Sequence, residues 1–156
     1  MKITTPGPGA RAHFAMAYDG KRKRVVLFGG FGEDSKYRND TWEWDGRAWR
    51  KVSDEGPPPR ARHRMAYDER AGLVVLYGGD GVKTEPGPGF RYLDDTWTWD
   101  GRRWTEMKVP GPGSRFMHAM AYDESRGKTV LYAGGFVDRT FSDTWEWDGR
   151  EWRQIN

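Results

Sequence analysis

The stretch "NDTWEWDGRAW" at residues 39–49 returns twice, as "DDTWTWDGRRW" at 94–104 and "SDTWEWDGREW" at 142–152. All nine tryptophans lie in these copies: Trp42, Trp44 and Trp49; Trp97, Trp99 and Trp104; Trp145, Trp147 and Trp152. Strand alternation puts Trp42 and Trp44 on one face and Glu43 on the other. Asp45-Gly46 then turns the chain, since Gly tolerates the positive φ of a tight hairpin, and Trp49 opens a further strand.

The flanking sequence repeats in step. Upstream lie "VVLFGG" at 25–30, "VVLYGG" at 74–79 and "TVLYAGG" at 129–135. Such β-branched runs suit strands buried on both faces. Before each run stands Met-Ala-Tyr-Asp, at 16–19, 65–68 and 120–123, in a first strand expected over about 13–18 in the first unit. An Arg precedes each Tyr by seven residues: Arg11, Arg60 and Arg115. The Tyr-to-Tyr spacings are 49 and 55, and the difference falls in a variable stretch that is longest in the second unit, 80–94. Joints rich in Pro and Gly, at 6–11, 56–62 and 110–115, link the units. The chain therefore reads as one repeat domain of three units, about 6–54, 55–109 and 110–156, each of four short strands. A lone four-stranded sheet cannot bury both faces, whereas stacked sheets can, with the tryptophans as filling.

Composition narrows the function. Aromatics make up 15% of the 156 residues against 36% hydrophobic in total, so aromatic side chains must supply much of the core. A net charge of +3 is too slight to argue for nucleic acid. With no Cys there is no disulfide framework, thiolate metal site or cysteine nucleophile. No apolar run approaches a membrane span, and the first nine residues lack the apolar core of a signal peptide, so a soluble protein, cytoplasmic by default, is expected.

Units of about 50 residues, with a glycine pair after the second strand and spaced tryptophans across the third and fourth, resemble the kelch repeat. The resemblance rests on Gly29-Gly30, Gly78-Gly79 and Gly134-Gly135, with Trp44/Trp49, Trp99/Trp104 and Trp147/Trp152, and covers roughly 6–155. The third unit departs from it: Ala133 stands where the others have Gly29 and Gly78. The resemblance implies an all-β fold of propeller blades, each with its first strand nearest the axis. Propellers have roughly four to eight blades, so three are too few. An open arc would expose two apolar faces. The ends of the chain sit at one phase of the repeat, which suits a homodimer forming a six-bladed ring, blade 1 of each copy on blade 3 of the other. Three copies would give nine blades. So regular an arc also fits an excised or designed half of a longer propeller.

Candidate sites divide into repeated and unrepeated features. Arg11, Arg60 and Arg115 could ring one mouth of a channel and bind a small anion, or each could pair with a nearby Asp or carbonyl and lock its blade. His63 and His118 occupy equivalent places, with Phe14 in the first unit; they could face the channel or be satisfied strand residues. Asp40, Asp95 and Asp143, each followed by Thr, lack calcium-loop spacing, and backbone hydrogen bonds at the start of the third strand are expected of them. Asp19, Asp68 and Asp123 are expected to cap turns, and "KRKR" at 21–24 to be a solvated turn. The variable stretches 31–39, 80–94 and 136–142 are the expected specificity elements, the second carrying an aromatic–basic tip of Phe90, Arg91 and Tyr92. No nucleophile-elbow, phosphate-loop or zinc motif occurs, and copper chemistry of the galactose oxidase type needs a Tyr–Cys crosslink. A non-catalytic scaffold that binds itself and a protein or small anionic ligand is expected, without cofactor, metal, nucleic acid or membrane. A sialidase-like or other glycan-directed hydrolase at the Arg/His cluster is the alternative.

Overall fold

The computed structural model describes residues 6–82 and 89–156. Residues 1–5, which contribute to the reading of repeat phase, and residues 83–88 of the second variable stretch lie outside the described residues. Among the described residues all regular structure is β. Three four-stranded antiparallel sheets follow one another along the chain, each pairing its strands in sequence order. The first joins Ala15–Asp19, Arg24–Phe28, Thr41–Trp44 and Trp49–Ser53. The second joins Arg64–Asp68, Leu73–Tyr77, Thr96–Trp99 and Trp104–Met107. The third joins Ala119–Asp123, Lys128–Tyr132, Thr144–Trp147 and Trp152–Gln154.

Turn chemistry explains the regularity. Asp45, Asp100 and Asp148 each accept the N–H groups of the residues two and three further on, which closes the third hairpin of every sheet. Asp19, Asp68 and Asp123 accept the N–H three residues on in the first hairpin. In the basic turn, Arg22 bridges Asp19 and Glu43, both at 2.7 Å.

The core lies between sheets. Ala15, Ala17, Val26 and Phe28 of the first sheet close on Met65, Tyr67, Trp99 and Trp104 of the second. Val75 and Tyr77 of the second close on Leu131, Trp147 and Trp152 of the third. Trp104 and Trp152 meet Phe28 and Tyr77 edge-on, with ring centres 5.2 and 5.3 Å apart. First strands of neighbouring sheets run beside one another and form the inner rim.

The first strand starts at Ala15, two residues later than expected, because His13 adopts φ 59. Arg62 and Met117, at the same place in the next units, adopt φ 55 and 56. This left-handed bend aims the backbone at the adjacent sheet: Arg62 N–H donates to His13 O at 2.8 Å and Met117 N–H to Arg62 O at 3.0 Å.

The glycine pair sits where the next sheet presses closest. Gly30 N–H donates to Arg60 O at 2.8 Å, and Gly79 N–H to Arg115 O at 2.9 Å. A methyl on Gly29 or Gly78 would lie 2.7 Å from the same carbonyls, and both glycines have left-handed φ, 67 and 64. Gly78→Ala is therefore expected to lower the unfolding free energy by about 3 kcal/mol, from strain and overpacking together. Gly46→Ala, whose added methyl meets nothing within 4 Å, should cost about 1 kcal/mol from strain alone. Urea titrations followed by tryptophan fluorescence check the contrast.

Candidate functional site

Each unit contains the same polar lock. Arg11 lies along Asp40, with contacts of 2.6 and 3.0 Å, and donates also to Gly29 O and Pro8 O. Arg60 grips Asp95 at 2.7 and 2.6 Å and reaches Gly78 O and Pro58 O. Arg115 grips Asp143 at 2.7 and 3.0 Å and reaches Ala133 O and Pro112 O. Arg60 and Arg115 are buried. The indoles of Trp42, Trp97 and Trp145 donate to the same three carboxylates at 2.7 Å. Burial alone would raise Asp40 and Asp95, but the guanidiniums and indoles hold both below the usual carboxylate range. Asp143 is lowered first by Arg115. These Asp side chains thus take arginine and indole in addition to the backbone bonding expected of them. The following threonines reach further: Thr41 and Thr96 hydroxyls accept the indole N–H of Trp104 and Trp152 from the next sheet, at 2.8 and 2.9 Å.

His63 and His118 are buried in the joints between sheets. They meet Phe28 and Tyr77 edge-on, with ring centres 5.6 and 5.7 Å apart. His63 Nε2 lies 3.1 Å from Phe28 O. Burial, then Arg60, holds His63 well below the usual imidazole range. Burial, then Arg64 and Arg115, lowers His118 to about 3. Both are neutral packing groups at pH 7. Among the described residues no three of His, Cys, Asp and Glu cluster to hold a metal ion.

The variable stretches gather at one end of the sheets. Asp80–Val82 pairs with Phe90–Tyr92 and with Arg60–Ala61. Phe31, Tyr37, Val82 and Phe90 line a concavity of about 550 Å³ with Lys36 at its edge. Phe90 and Arg91 are exposed, whereas Tyr92 stacks on Phe116 and meets Phe136 edge-on. Beneath the concavity, Asp80 is buried and accepts from the Tyr37 hydroxyl at 2.7 Å and from Arg62. Burial and Asp80 push the Tyr37 phenol up to about 12. Sequence reasoning placed Tyr37 and Asp80 within variable stretches but did not join them to Arg62: Asp80 stands where the other units have Phe31 and Gly135, and Arg62 where they have His13 and Met117, although Tyr37 is matched by Tyr92.

Sheets stacked along an inner rim, each closed by an arginine lock and opening its loops at one end, define propeller blades. A family model, the KLHDC2/KLHL20/DRC7 Kelch-repeats domain, matches residues 1–156, and the chain belongs to the kelch-repeat family. A comparison with curated proteins returned no match. A kelch-repeat domain suggests a protein-binding β-propeller module, and domains of this family are generally non-catalytic. No helix among the described residues is long and apolar enough to cross a membrane.

Two measurements test the lock and the joints. Asp95→Ala leaves buried Arg60 without its carboxylate and should cost about 3 kcal/mol, measured by urea unfolding. Acid should act on the histidines: their folded pKa values lie below the unfolded value, so protons bind the unfolded chain preferentially. Stability should be full above about pH 6.5 and fall steadily as pH drops toward 3. His118→Gln should flatten that slope.

Proposed function

We propose that the chain is a non-catalytic, self-assembling half-propeller. Its three blades, divided near residues 54/55 and 109/110, join a second copy in a six-bladed ring, and the variable loops bind a protein or small anionic ligand. The observation that carries this reading is the complementarity of the two outer faces. At the internal joints the later blade supplies an arginine carbonyl, a left-handed N–H and an indole N–H. The earlier blade supplies a glycine N–H, a left-handed carbonyl and a threonine hydroxyl. Blade 1 offers the first set outward in Arg11, His13 and Trp49, and blade 3 offers the second in Gly134, Met117 and Thr144. Among the described residues His13 N–H, Gly134 N–H and the Met117 carbonyl take part in no backbone hydrogen bond.

The apolar pattern supports the same partner. Met16 and Tyr18 are 49% and 58% exposed on blade 1, where Met65 and Tyr67 of blade 2 are 6% and 9% exposed. Tyr132 on blade 3 is 50% exposed, where Phe28 and Tyr77 are 0%. A second copy would cover the first set with the second, blade 1 on blade 3.

Light scattering on a size-exclusion column should give about twice the 18.0 kDa chain mass. Tyr132→Arg, which places a charge in the joint, should give a folded species of 18.0 kDa. Wild-type protein that stays at 18.0 kDa at every concentration overturns the reading.

A further inference from the structure

The joint that closes the proposed ring cannot copy the two internal ones. At an internal joint, a methyl built on Gly29 would lie 2.7 Å from Arg60 O and 3.0 Å from His63 Cε1. On Gly78 it would lie 2.7 Å from Arg115 O and 3.3 Å from His118 Cε1. On blade 3 that place is held by Ala133, in the same left-handed conformation at φ 60 and with a real methyl. On blade 1 the place of the two histidines is held by Phe14. Both departures add bulk at a single point of contact, one from each side. Close-packed interfaces do not absorb such bulk without moving apart.

Phe14 also lacks the ring nitrogen that His63 places 3.1 Å from Phe28 O. The Tyr132 carbonyl, in the equivalent place, gains no such neighbour from blade 1. The outer half of the joint is unaltered: Trp49 and Thr144 match the Trp104–Thr41 and Trp152–Thr96 pairs. The closing joint therefore keeps its tryptophan contact and loses its tightest contact at the loop end.

We propose that Phe14 and Ala133 make this joint the ring's opening point, where two half-rings separate and exchange partners while the internal joints hold. The inference rests on the half-ring reading above. It assigns specificity too: the open face of blade 3 accepts blade 1 of a second copy in a geometry that an internal-type blade, with its histidine and close carbonyl, does not fit.

The experiment is subunit exchange. Two populations of the full chain, labelled at the N-terminal amine with a donor or an acceptor fluorophore, are mixed and energy transfer is followed. The variant Phe14→His with Ala133→Gly restores the internal pattern on both sides and should exchange at least tenfold more slowly than wild type, each single variant falling between. Thermal unfolding of the same samples establishes that the variants fold. If wild type and double variant both have twice the 18.0 kDa mass and exchange equally fast, or the variant exchanges faster, the opening-point proposal falls and the half-ring stands. If both stay at 18.0 kDa, both proposals fall. If only the double variant doubles its mass, the two residues are established as what weakens the joint and the half-ring reading falls for the native chain.

Discussion

The structure depends on one close approach. The carbonyl of an arginine at the start of each later blade seats against the glycine pair of the blade before it, near enough that a methyl at Gly29 or Gly78 would lie 2.7 Å away. Everything at the joint is arranged to permit that approach. The arginine side chain turns back into its own blade to meet an aspartate, which leaves its carbonyl facing outward. The left-handed residue two places on directs a second backbone bond across the same joint. Histidine and tryptophan then fill the wedge that opens outward from it.

This division of labour accounts for the composition. The buried guanidinium–carboxylate pairs need several further hydrogen bonds to offset desolvation. The indole N–H and the carbonyls of glycine, Ala133 and proline provide them. Tryptophan serves both purposes, as apolar filling between sheets and as donor to an aspartate or threonine. A low aliphatic content is then no handicap, because aromatic surface is buried where the blades meet.

Much of the fold was legible in the sequence, since a repeat samples one structure three times. The Asp-Gly hairpins, the buried second strands and the tryptophan placement follow from local chemistry that recurs at fixed spacing. The pairing of arginine with aspartate was legible only as one of two readings, because spacing shows recurrence and not direction. Other features were hidden. Thr41 and Thr96 accept from indoles 63 and 56 residues away, in another blade, and no local signal marks that. His13, Arg62 and Met117 share a backbone conformation but no chemistry, so their common place is invisible until the chain is folded. The cluster of Tyr37, Arg62 and Asp80 was hidden because Arg62 and Asp80 have no like residue at the same place in the other blades, and because Tyr37 reaches Asp80 from the blade before it.

The central claim is that the two outer faces are halves of one further joint. Hydrogen exchange at single-amide resolution, at a concentration well above that needed for association, tests it most directly. The amides of Arg62 and Gly79 donate across internal joints and should be protected in any case. The account predicts that His13, the counterpart of Arg62 at the outer face of blade 1, is protected also, and loses that protection on dilution. Exchange of His13 at the rate of exposed loop amides, with Arg62 and Gly79 still protected, would contradict it.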